Sequence, residues 1–140
     1  MRKRTRGREI ALKMLYRIDL LGEKSVEKTL AEETSEIQQK EVKDFASDLV
    51  RNVWGLRKEL DSIISRVAEN WEISRMAIID RNILRIGAYE LLHSEDVPNK
   101  VAINEAIELA KKYSTEDSGA FVNGILDKIR EERDAQEKRG

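Results

Sequence analysis

No cysteine occurs among the 140 residues. That excludes disulfides, thiolate metal sites and a cysteine nucleophile, and it fits a cytoplasmic protein. Histidine occurs once, as His93, so a Ser–His pair would have to use it, and no nucleophile-elbow sequence accompanies it. Glu90 and His93 spell Glu-x-x-His, but a carboxylate-bridged metal bundle needs two such copies and two further carboxylates. Walker and Rossmann glycine spacing is absent, and Gly119 and Gly124 stand alone. The spacing assigns Gly124 to close helix packing. No apolar run is long enough to cross a membrane. Glu9, Lys13 and Asp19 interrupt the segment after the basic N-terminus, so it does not read as a signal peptide. Strand alternation is missing, as are repeats and low-complexity linkers. Neither an enzyme nor a cofactor is expected.

What remains is charge and helical periodicity. Charged residues make up 38% and apolar residues 40%, with a single proline. That balance favours a soluble helical protein over a disordered one. Abundant Glu, Lys and Arg beside few Asn and Gln fit a heat-tolerant source. The net charge of −1 conceals an asymmetry. Residues 1–8 contain Arg2, Lys3, Arg4, Arg6 and Arg8 and no acid, so the other 132 residues are net −6. A basic arm on an acidic body binds a polyanion locally; the plainer alternative is a frayed, solvated terminus.

Apolar residues recur at helical spacing along most of the chain. The pattern predicts a first helix over 5–21, closed by Gly22, then a short helix capped by Ser25. Residues 34–39 read as a loop. Val42 to Val53 and Leu56 to Val67 form helical stripes with a stop or kink at Gly55. A helix over 75–93 with Ser74 as cap comes next. Two more complete the pattern, separated by a polar turn over 114–119. Beyond Arg130 the tail is charged, lacks apolar spacing and is expected to fray. The expected fold is all-α, with about seven helices in two small bundles packed together: residues 1–68, residues 69–130 and a tail over 131–140. Neither half alone has much core.

Three blocks carry a resemblance. Residues 98–128 read PNKVAINEAIELAKKYSTEDSGAFVNGILDK, residues 80–91 read DRNILRIGAYEL, and the basic opening is followed by ALKMLY at 11–16. In wording and order they resemble the NusB family of bacterial transcription antitermination factors, with the weakest match over 23–60. The resemblance implies a single NusB-like RNA-binding domain. It implies binding of boxA, a short single-stranded RNA element, together with the ribosomal protein NusE. RNA polymerase and other Nus factors would complete the assembly and support ribosomal RNA transcription. The free protein would be a monomer or homodimer. NusB-like domains also occur in ribosomal RNA methyltransferases, which makes an RNA-binding domain of such an enzyme one alternative. A helical scaffold that binds only protein is another.

Two residues stand out from the periodicity. Asp80 falls near the middle of an apolar helix face, where an unpaired carboxylate is costly. It needs either an internal pair, with Arg75, Arg81 or Arg85, or a contact to another protein. Phe121 lies beside the core stripe of the last helix, as a rim residue or as a platform for a nucleobase. Lys111, Lys112 and Lys128 share those two helices. The resemblance implies that Phe121 and Asp117 lie at the RNA surface, with Lys112, Lys128 and the basic arm. It implies that Asp80 and Arg81, and also Tyr16, face NusE.

Overall fold

The computed structural model describes residues 2–69 and 71–139. Among them seven α-helices occur, and no strand. None of these helices is long and apolar enough to cross a membrane. The chain divides into two compact units, Met1–Gly55 and Leu56–Gly140.

The first unit holds α1 (Lys3–Leu21), α2 (Val26–Thr34) and α3 (Lys40–Gly55). Ala11, Met14, Leu15 and Ile18 of α1 are fully buried, as are Val42, Ala46, Val50 and Val53 of α3. Helix α1 ends where Gly22 takes φ +97° and donates its N–H to Ile18 O at 2.7 Å, a left-handed stop that suits glycine. Gly7 allows a second close approach: a Cβ there would lie 2.6 Å from Phe45 Cδ2. Arg17 ties α1 to α2 through Glu32 and Glu33, at 2.8 and 3.2 Å.

The second unit holds α4 (Arg57–Val67), a 3-10 turn at Ile73–Arg75, α5 (Ile78–His93), α6 (Asn99–Tyr113) and α7 (Glu116–Arg139). Leu60, Ile64, Ile83, Leu84, Ala102, Ala110, Val122 and Leu126 are fully buried. Gly87 brings α5 close to α6 and α7, since a Cβ there would lie 2.5 Å from Leu126 Cδ1 and 3.4 Å from Ala106 Cβ.

Several sequence expectations are corrected. The boundary between units lies at Gly55, upstream of residues 66–74, because α4 is bound to later helices. Arg85 clamps Asp61 with two hydrogen bonds of 2.7 and 2.8 Å, and Arg66 meets Glu132 at 2.8 Å. Helix α1 starts at Lys3, so most of the basic arm is helical. The hydroxyl of Ser25 donates to Gly22 O and does not cap α2. Ser74 sits in the 3-10 turn, and α5 starts only after extended Met76 and Ala77. The tail remains helical to Arg139. It is held by Arg130 to Asp127 and Asp134, at 2.8 and 3.1 Å, and by an Arg133–Leu91 carbonyl bond. Pairs of this kind stabilise a helix without an apolar stripe. A Cβ at Gly124 would meet nothing within 4 Å; Gly87 holds the packing role assigned to it.

Candidate nucleic-acid interface

The N-terminal turn of α7 organises the site. Thr115 caps the helix, its Oγ1 accepting the Ser118 N–H at 3.0 Å. Ser118 Oγ lies 2.9 Å from Ser114 Oγ and 3.0 Å from Thr115 Oγ1, and it donates to Asp80 Oδ2 at 3.1 Å. The hydroxyl chain therefore ends on a carboxylate. The other Asp80 oxygen, Oδ1, is buried and has no hydrogen-bond partner among the described residues. Asp80 lies in the first turn of α5, where a negative charge suits the helix dipole.

Asp117 and Phe121 are four residues apart on α7 and so share a face. Asp117 is exposed and Phe121 half-buried. The Phe121 ring meets Trp71, 57% exposed, edge to face at a centroid distance of 5.6 Å and an angle of 66°. A cavity of about 250 Å³ opens on one side of this pair, lined by Trp71, Arg75, Asp80, Asp117, Ser118 and Phe121 among others. A depression of about 300 Å³ adjoins the same two rings and reaches Gly124 and Lys128. The unit thus offers aromatic surface beside cations and one poorly satisfied carboxylate. Unpaired bases are recognised by such stacking surfaces and edge contacts, and phosphates by the cations.

The model of the NusB family matches residues 5–131. The chain belongs to the NusB family. It is 51% identical over 129 residues to the transcription antitermination protein NusB of Anaeromyxobacter sp. (strain Fw109-5), covering 91% of this chain and 89% of that one. It is 50% identical over 130 residues to the NusB of Geobacter sulfurreducens (strain ATCC 51573 / DSM 12127 / PCA), covering 92% and 94%. Among solved structures, T. maritima NusB superposes with a TM-score of 0.85 at 39% identity, covering 94% of this chain and 92% of that one. A chain from a crystal structure of antitermination factors NusB and NusE in complex with dsRNA superposes at 0.84 and 34% identity, covering 94% and 98%.

The residues that the NusB resemblance singles out fall into both units. In the first, Arg2, Lys3, Arg4 and Arg6 are exposed. Lys3 pairs with Glu41 at 3.1 Å, and Arg6 donates to Gln39 at 3.3 Å. Arg8 departs from the expectation. It is only 2% exposed, and its guanidinium lies 5.4 Å from the Phe45 ring centroid, with Arg4 at 5.3 Å. Its role here is cation–π packing rather than display to phosphate. Tyr16 is 37% exposed on α1, with Leu20 and Leu21 at 55% and 65%.

In the second unit, Phe121, Asp117 and Asp80 come together at one cavity. Lys128 is exposed on the far side of the ring pair. Lys112 is exposed, its ammonium 5.5 Å from the Tyr113 ring centroid, and Arg81 is half-buried. The internal arginine pair considered for Asp80 does not form; its partner is Ser118, while Arg85 is held by Asp61. Elsewhere in the unit, His93 Nε2 lies 3.4 Å from Glu59 Oε1, and Glu90 is buried. Sequence reasoning missed Trp71 and Ser118. The one available signal was a tryptophan in a polar connection, outside any helical stripe.

Proposed function

We propose that this NusB-family chain is a transcription antitermination factor that binds boxA-type single-stranded RNA together with NusE and joins RNA polymerase and other Nus factors. It works in the cytoplasm by assembly, without a catalytic step. The observation that carries this reading is the Phe121–Trp71 ring pair bordered by Arg75 and Lys128. The likeness to a structure holding NusB, NusE and RNA supports it.

Arg2, Lys3, Arg4, Arg6, Lys112 and Lys128 supply salt-dependent phosphate contacts, and Phe121 stacks on a base. Asp117 limits affinity by repelling phosphate. Tyr16 and Arg81 face NusE. Asp80 shares a cavity with Phe121 and is therefore moved to the RNA side. Two modest interfaces on one RNA raise the effective concentration of each partner for the other. The test is a gel shift with boxA-type RNA, using this protein alone, NusE alone and both. Tighter retention by the pair than by either alone is expected. No retention by the pair would overturn the reading.

A further inference from the structure

The ring pair does more than provide one stacking face. Its rings are inclined at 66°. A base lying flat on one ring therefore meets the other edge-on, so the pair forms a corner rather than a sandwich. The cavity in that corner is about 250 Å³, below the roughly 300–1,000 Å³ of sites for drug-sized ligands. That suits one planar base. At its inner end stands Asp80, with one oxygen held by Ser118 and the other buried without a hydrogen bond. A buried acceptor in this state gains most from a donor. Rotation of a carboxylate about χ2 is soft and roughly two-fold, so either oxygen can turn toward the cavity while the other keeps Ser118.

We propose that Trp71 and Phe121 form a slot for one extruded RNA base bearing an exocyclic amino group, and that Asp80, oriented by Ser118, accepts a hydrogen bond from that group. The slot selects cytosine, adenine or guanine over uracil at one position of the strand. This rests on the RNA-binding reading and adds to it the residue that discriminates among bases. The depression on the other side of the rings continues the path, with Lys128 placed for a phosphate. A cationic side chain from a protein would also satisfy Asp80, but Arg75 lines the same cavity and repels it. Cations on both flanks of the rings fit a polyanion instead.

The test uses the full chain with NusE and a boxA-type RNA in which single bases lose their amino group: cytosine to uracil, adenine to purine, guanine to inosine. At one position, the loss should weaken binding about tenfold to wild type, as expected for a hydrogen bond to a charged group. The same loss should cost little in Asp80→Ala, and Asp80→Asn serves if the alanine variant melts early. Trp71→Ala should weaken every RNA by about tenfold, the scale of one stacked base, and Trp71→Phe should restore part of it. Trp54→Phe leaves Trp71 as the sole tryptophan of the two, and bound RNA should quench its emission. If RNA binds but no position shows an Asp80-dependent penalty, or emission is unchanged, the slot is refuted while the RNA-binding reading stands. If Asp80→Ala loses NusE with unchanged RNA affinity of the free protein, the cavity belongs to a protein contact and the slot is again refuted. If no RNA binds at all, both readings fall.

Discussion

Asp61→Ala should be among the more damaging single changes in the second unit. Arg85 and Asp61 join α5 to α4 through two hydrogen bonds, of 2.7 and 2.8 Å, with side-chain exposures of 6% and 23%. Removing the carboxylate strands a nearly buried guanidinium. Asn82 Oδ1 at 3.0 Å keeps one of its donors satisfied but supplies no charge. Breaking one side of a buried pair costs about 3–5 kcal/mol. The partial exposure of Asp61 admits water to the stranded guanidinium, so about 2–4 kcal/mol is expected here. At about 2–4 °C per kcal/mol for a chain of this size, the melting temperature should fall by about 5–15 °C. Urea denaturation followed by circular dichroism at the helix band gives the free energy directly. Replacing both residues, Asp61→Leu with Arg85→Met, should recover much of the loss, since a well-packed apolar pair needs no charge compensation. A loss under about 1 kcal/mol for Asp61→Ala would refute the reasoning and reduce the pair to a solvent-screened surface bridge. The consequence reaches the site, because α5 carries Asp80.

Other outcomes rest on the same geometry. Deleting residues 1–8 should lower the melting temperature as well as RNA affinity, because Gly7 and Arg8 pack on Phe45. Alanine at Arg2, Arg4 and Arg6 together should flatten the salt dependence of RNA binding by about 0.7 per lost phosphate contact and leave the melt nearly unchanged; an unchanged slope would remove these cations from the interface. Asp117→Asn should bind RNA more tightly, mostly at low salt, with little stability change because Thr115 is the cap. Thr115→Ala should instead cost about 1 kcal/mol, and equal melting losses from the two variants would contradict this assignment. Phe121→Ala should weaken RNA binding by about tenfold in a titration, and a neutral result would take the last helix out of the RNA site. The Arg17 hydrogen bond holds the Glu32 carboxyl below its usual value, with burial opposing. The stabilisation is therefore complete above the ordinary carboxylate pKa and is lost as pH falls through the lower folded value. Arg17→Gln should make stability less sensitive to acid over that window, as read from urea midpoints across pH.

Helicity, the absence of strands and the turn at Gly22 were legible from the sequence. Each depends on neighbours three or four residues away, and that spacing is written in the chain itself. The wording of residues 80–91 and 98–128 carried the family. What a side chain touches across the fold was not legible. Asp80 looked like a partner for an arginine on its own helix, yet its bond is to Ser118, 38 residues later. Arg8 looked like part of a solvated arm, yet folding presses it onto Phe45. The affiliation of α4 depends on Asp61 finding Arg85, and the helical tail on charge pairs that an apolar-periodicity argument does not count. Trp71 gains meaning only beside Phe121, 50 positions away. Local spacing determines which segments form helices and which faces are apolar. Only packing decides which rim residues meet, because those contacts join parts of the chain that share no periodic relation.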